Sequence, residues 1–269
     1  MAALRLRHVP SSACAFGPAP GAGGRERPKP VSKNVALIFA GGTGQRMNTK
    51  TRPKQFLELH GKPIIIYTLE QFENHPSIDG IVVVCLESWI PFLRKQLGKY
   101  GITKVDDIIP GGQTGQGSIR NGVMRIAELY DPSTTVLVHD GVRPLVDEAT
   151  ITNCVEGVER FGNAISVVPA IETIIKQDGN AVREVIDRHA CQIARAPQCF
   201  KLGELKAAHV RSVEEGRDDF IDSASLMLHY GHQLFTVESC PENIKITTPS
   251  DFYMFRAMVD ARENSQIFG

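Results

Sequence analysis

Four short, almost wholly apolar runs, at residues 35–40, 81–85, 135–138 and 164–168, restrict the fold of this chain more than any other feature. Runs of four to six aliphatic residues without polar alternation suit strands covered on both faces. Weaker strand candidates lie at 105–109 and 234–237, and helical patterns occupy 63–72, 91–99, 118–129, 148–160, 202–213, 221–229 and 249–261. Pro63 and Pro249 suit a first helical turn, where the missing N–H is not needed, and Asp222 suits an N-cap. Strands alternating with helices predict an α/β fold, a mostly parallel twisted sheet with helices on both faces. The segment 170–194 breaks the alternation. Its Asp178-Gly179-Asn180 turn between two β-like runs predicts a hairpin, either a sheet extension or an arm toward a partner subunit.

Residues 1–33 differ in kind. They hold six Lys/Arg against one acid, Glu26, and are rich in Ala, Gly, Pro and Ser, too poor in large apolar groups to offset the entropy of ordering. A disordered tail is expected, either an organelle-targeting segment, by its Arg-rich and acid-poor character, or an extension without a role. Residues 34–269 read as a single domain. The whole chain has 30 Lys+Arg and 30 Asp+Glu, which removes the bulk attraction expected of a nucleic-acid binder. No run approaches the roughly 18 apolar residues of a membrane span. The six scattered cysteines form no C-x-x-C pair and read as reduced thiols of a cytoplasmic-type enzyme. His229 and His232, three apart on a helical pattern with no third ligand nearby, read as surface or packing residues.

The first chemical signal is Phe39-Ala40-Gly41-Gly42-Thr43-Gly44-Gln45-Arg46-Met47, followed by Pro53-Lys54-Gln55-Phe56. Glycines just past a buried strand let backbone N–H groups approach phosphate oxygens. No Gly-Lys-[Ser/Thr] follows, and Met47 replaces the third glycine of a dinucleotide fingerprint. Arg46 and Lys54 could instead bracket one polyphosphate. A lone turn of this kind also suits two solvated cations. The second signal, His139-Asp140-Gly141-Val142-Arg143-Pro144, puts a carboxylate at the end of a central strand, where open α/β sheets place ligands. One carboxylate with substrate phosphates is also the usual way to hold Mg²⁺. Alone, Asp140 and Arg143 would read as a local ion pair, and Lys245 as a solvated lysine.

Taken in order with Ala196-Pro197-Gln198-Cys199-Phe200, Asp219-Phe220-Ile221-Asp222-Ser223-Ala224 and Glu242-Asn243-Ile244-Lys245-Ile246-Thr247, these blocks resemble a cytidylyltransferase family. It includes 2-C-methyl-D-erythritol 4-phosphate cytidylyltransferase and ribitol-5-phosphate cytidylyltransferase. The resemblance runs from about residue 35 to 262. It implies a Rossmann-like (GT-A-like) nucleotidyltransferase fold, CTP and a polyol phosphate as substrates, Mg²⁺, and a homodimer exchanging the 170–194 arm. It further implies that Ala40, Gly41, Gly42, Gly112 and Ser118 bind the nucleotide and that Arg46, Lys54 and Lys245 act on the phosphates. Asp140 would hold the metal, with Asp140, Arg143, Thr173 and Arg188 meeting the alcohol phosphate, the last two across from the arm. The chain departs from the family between Gly112 and Ser118, where Gln113-Thr114-Gly115-Gln116-Gly117 replaces an acidic residue and an Arg. Gly141-Val142 and the stretch Pro169 to Thr173 look closer to the ribitol branch. D-Ribitol 5-phosphate is thus the expected acceptor, with the methylerythritol phosphate of isoprenoid synthesis next. A sugar-1-phosphate nucleotidyltransferase and a non-catalytic nucleotide-binding regulator are the competing readings.

Overall fold

All four apolar runs lie in one seven-stranded sheet, seen in a computed structural model that describes residues 33–42 and 52–268. The chain order is β1 (Asn34–Ala40), β2 (Glu58–Leu59), β3 (Lys62–Pro63), α1 (Ile64–Glu73), β4 (Gly80–Cys85), α2 (Ile90–Tyr100), β5 (Val105–Pro110) and α3 (Gly115–Leu129). It continues with β6 (Thr135–Asp140), α4 (Glu148–Phe161), β7 (Asn163–Pro169), β8 (Ile174–Asp178), β9 (Ala181–Ile186) and β10 (Gln192–Lys201). The last elements are α5 (Leu202–Glu214), α6 (Ser223–His229), β11 (Thr236–Glu238) and α7 (Pro249–Phe268). The expected tail lies outside the described residues, as does Arg46. Among the described residues, no helix is long and apolar enough to cross a membrane.

The sheet order is β11-β7-β10-β6-β1-β4-β5. Every adjacent pair is parallel except those of β10, which runs antiparallel to both β6 and β7. The side-chain alternation of a strand divides β1 between two cores. Ala36, Ile38 and Ala40 face α1, α2 and α4 with Ile65, Leu69, Leu93 and Ile151. Val35 and Leu37 face α3 and α5 with Ile119, Val123, Ile126 and Leu205. A third cluster joins Ile64, Val142, Leu145 and Ile246 to Phe255 and Val259 of α7, so the last helix braces the segment carrying Lys245. Beside β1 the order reverses: β6 lies on one side and β4 on the other. That is the topological switch point, where the carboxyl ends of neighbouring strands leave a crevice.

The structure refines several expected boundaries. α3 starts at Gly115, ahead of the expected residue 118, because Thr114 is its N-cap and accepts the Gly117 N–H at 2.9 Å through Oγ1. α6 begins at Ser223, capped by Asp222 and Ser225 in a reciprocal capping box; it ends at His229, so His232 lies beyond it. His229 packs on Phe220 and meets Arg217, as a packing residue does. The hairpin is shorter than 170–194: β8 and β9 pair through Gly179 at φ +58°, and residues from Gln192 onward already belong to the central sheet.

His209 on α5 is 2% exposed, and its Nε2 has no hydrogen-bond partner. Burial, assisted by the Arg120 charge, pulls its pKa down to about 4. The unfolded chain therefore takes up this proton below about pH 6.5 while the folded chain stays neutral, so stability falls as pH drops from 6.5 toward 4. The contribution at pH 4.5 is about 2–3 kcal/mol. Urea unfolding of His209→Gln should show a smaller loss between pH 7 and 4.5 than the parent; buried His139, also pulled down to about 4, and His75, pulled down by burial, contribute to what remains. An identical loss in both proteins would contradict this.

Candidate active site

β1 and β6 end side by side, with Phe39 in register with Asp140 and the Gly141 N–H donating to the Phe39 carbonyl at 3.0 Å. This starts the Gly41-Gly42 turn at the same sheet edge that carries Asp140. Asp140 is 5% exposed, and a charge so buried needs compensation. Arg143 Nε donates to Oδ2 at 2.8 Å, and Lys245 Nζ lies 2.6 Å from Oδ1. Burial alone would raise the Asp140 pKa, but the Arg143 and Lys245 charges and their hydrogen bonds outweigh it and bring the pKa down to about 2. The carboxylate is therefore ionised at any working pH.

The two cations differ. Arg143 is buried, and its Nη1 also donates to the Asn243 carbonyl at 2.9 Å. Asn243, fully buried, donates from Nδ2 to the Ala196 carbonyl at 2.6 Å. Arg143 is thus fixed between β6, β10 and the segment bearing Lys245. Lys245 is 43% exposed, with its ammonium also over the Phe39 ring, and the Ile246 N–H ties its backbone to the Val142 carbonyl at 2.9 Å. Lys54 joins this group: its Nζ donates to the Ile246 carbonyl at 3.2 Å, one residue from Lys245. Asp140, Arg143 and Lys245 therefore form one cluster, and Lys54 bonds to the backbone next to Lys245.

Gln55 is a positioning residue that sequence reasoning passed over, although it lies inside the quoted Pro53-Lys54-Gln55-Phe56 block. It is 1% exposed and donates from Nε2 to the carbonyls of Ala40 at 2.6 Å and Gly42 at 3.2 Å, fixing the turn from beneath. Gly41 and Gly42 line a cavity of about 340 Å³ with Leu86, Gly112 and Ser118. The amino end of α3 opens onto it, as anion sites at helix N-termini do. Ser118 Oγ accepts the Gly112 N–H at 3.0 Å and donates to the Thr114 carbonyl at 3.0 Å, so its hydroxyl proton shapes the loop. A Cβ on Gly112 would fall 2.7 Å from the Gly117 carbonyl carbon; only glycine fits there.

A second cavity, about 290 Å³, shares Phe39 and Gly115 with the first. Asp140, Arg143 and Lys245 form one part of its wall, and Gln116, Arg195 and Ser223 another. Gln198, also on its wall, donates to Asp222 Oδ2 at 2.8 Å and accepts the Ala224 N–H at 2.9 Å, fastening α6 to β10. Thr173 and Arg188 do not join this group within one chain. Both are exposed near the hairpin, where Arg188 Nη1 donates to the Ile171 carbonyl at 2.9 Å.

A glycine turn, two ammonium groups and one ionised carboxylate at the switch point of a mostly parallel sheet are the features of a nucleotidyltransferase. The model of the family described as "IspD: 2-C-methyl-D-erythritol 4-phosphate cytidylyltransferase" matches residues 34–261, and the chain belongs to this family. A ribitol-5-phosphate cytidylyltransferase of Vibrio parahaemolyticus is 50% identical over 88% of this chain and 100% of its own length. A 2-C-methyl-D-erythritol 4-phosphate cytidylyltransferase of Clostridium acetobutylicum is 36% identical over 82% of this chain and 94% of its own. The crystal structure of the Francisella tularensis 2-C-methyl-D-erythritol 4-phosphate cytidylyltransferase superposes with a TM-score of 0.69 at 30% identity, covering 83% of this chain and 98% of that one.

Replacing Asp140 by Asn leaves Arg143 buried beside a second cation with no countercharge. Breaking a buried pair in this way costs about 3–5 kcal/mol. The urea midpoint of Asp140→Asn at pH 7 should fall accordingly, and a midpoint equal to the parent's would refute the role given to this carboxylate.

Proposed function

We propose that the protein transfers the cytidylyl group of CTP to a polyol phosphate, D-ribitol 5-phosphate in preference to 2-C-methyl-D-erythritol 4-phosphate, with release of pyrophosphate. The observation that carries this reading is the Asp140–Arg143–Lys245 cluster at the paired ends of β1 and β6, with Lys54 bonded to the Ile246 carbonyl beside Lys245. An acceptor phosphate oxygen attacks the α-phosphorus of CTP; the new P–O bond forms as the bond to the pyrophosphate oxygen breaks. A phosphate monoester is already an anionic nucleophile near neutral pH, so the step needs no general base. The barrier lies in bringing two polyanions together while charge grows on the phosphoryl oxygens, and preorganised cations lower it. The Gly41-Gly42 turn would cradle the triphosphate, with Lys54 and Lys245 on its oxygens. Arg143 would orient the acceptor while keeping Asp140 ionised. Losing one such cation typically costs about 10²–10³ in rate.

Magnesium fits this donor set. Asp140 is one ionised carboxylate whose Oδ1 partner, Lys245, is half-exposed and able to move onto a phosphate, and Mg²⁺ is commonly held by one carboxylate plus phosphates. Bound there, it would neutralise charge on the transferring and leaving phosphoryl groups. Arg46 belongs to the proposal as a further phosphate contact.

The preference for ribitol rests on the 50% identity to a ribitol-5-phosphate cytidylyltransferase, against 36% to the methylerythritol enzyme. A homodimer through the hairpin is part of the same reading. Ile171, Ile175, Val182 and Val185 are exposed on and beside it, an apolar patch suited to a second copy, and a partner's Thr173 and Arg188 could then reach the acceptor. A cytoplasmic setting, with its CTP supply, completes the proposal.

Pyrophosphate release measured with CTP and each acceptor should give a kcat/KM at least about tenfold higher for D-ribitol 5-phosphate, the size of a modest specificity difference. The reverse order would overturn the acceptor assignment, and no release with either would overturn the activity.

A further inference from the structure

The cavity that Asp140, Arg143 and Lys245 share with β10 and the start of α3 contains polar groups without partners. Gln116 is 7% exposed, yet neither its Nε2 nor its Oε1 has a hydrogen-bond partner. Arg195 has a buried Nε with no partner, and the strongest charge acting on it is the like charge of Arg143. Folded proteins seldom leave such groups unsatisfied unless a ligand or water completes them. Their placement has local causes. The ladder between β10 and β7 slips between Ala194 and Gln198, and a bulge of this kind re-aims side chains beside active sites. Gln116 lies in the first turn of α3 between Gly115 and Gly117, which carry no side chains to compete for the space.

The cavity abuts the one lined by Gly41 and Gly42, sharing Phe39 and Gly115 with it. If the triphosphate lies on the glycine turn, the neighbouring space across the reacting centre is left for the acceptor. Arg143, which would orient the acceptor, is shared with Asp140 and the Asn243 carbonyl, so a phosphate dianion has use for a second cation. Arg195 carries one with no ion pair among the described residues. An amide with both ends open matches hydroxyls, which donate and accept.

We propose that Arg195 and Gln116 are specificity-determining residues for the acceptor, Arg195 taking its phosphate and Gln116 its chain hydroxyls. This rests on the cytidylyltransferase reading above and assigns it two contacts within the same chain.

Steady-state kinetics with CTP and either D-ribitol 5-phosphate or glycerol 3-phosphate test it on the full-length protein. Arg195→Met should raise the KM of both acceptors by about 10–100-fold, the range for a lost charge-assisted contact, leaving the KM for CTP within about twofold. Arg195→Lys should recover part of the loss; if the Met variant fails to fold, the Lys variant carries the test through a smaller rise confined to the acceptors. Gln116→Leu should lower kcat/KM for D-ribitol 5-phosphate by about tenfold while leaving glycerol 3-phosphate, which lacks the distal hydroxyls, unchanged. Variants with parental acceptor KM values, or with the CTP KM raised instead, would overturn the proposal while the activity stands. A parent protein that releases no pyrophosphate with any polyol phosphate would overturn both.

Discussion

A single ionised carboxylate, buried at the carboxyl edge of the sheet, dictates the arrangement around it. Asp140 could not stay charged at 5% exposure without cations on both oxygens, because removing a carboxylate from water costs several kcal/mol. Arg143 supplies one cation from the loop that follows β6. Lys245 supplies the other from a segment about a hundred residues on, fastened by the Ile246–Val142 backbone bond and by Phe255 of α7. The distant chain end is brought to the site by both a charge requirement and a hydrophobic one.

The two cations divide structural and chemical work. Arg143, enclosed and bonded also to Asn243, is a fixed element of the fold. Lys245 pairs with Asp140 and lies over the Phe39 ring but is half-exposed, so an incoming polyphosphate can compete for it. Gln55 provides rigidity on the opposite side, bonding to the Ala40 and Gly42 carbonyls and so holding the start of the turn. A charged ligand entering this crevice meets groups already in place, which is the condition under which electrostatic stabilisation of a transition state is strongest.

Much of this was legible in the sequence, and the exceptions have physical reasons. The parallel strands announced themselves because burial on both faces demands continuous apolar runs, as in Val35 to Ala40. β10 did not: Arg195, Pro197 and Gln198 interrupt its apolar character, since its first half borders the cavity and its ladder slips there. Lys54, Asp140 and Arg143 could be suspected from their place after glycines and strand ends. Asn243, Gln55 and Gln198 could not, because each acts through hydrogen bonds to segments outside its own block, and amides leave no periodic trace. Thr173 and Arg188, named only through family resemblance, stay apart from the crevice of their own chain.

The most direct test of the account is a crystal structure of the full chain with CTP and Mg²⁺. The account predicts the triphosphate over Gly41 and Gly42, the α-phosphate against the Lys54 and Lys245 ammonium groups, and the metal on the Asp140 oxygen that Lys245 has vacated. A triphosphate bound away from this crevice, with the Asp140–Lys245 pair intact, would contradict it.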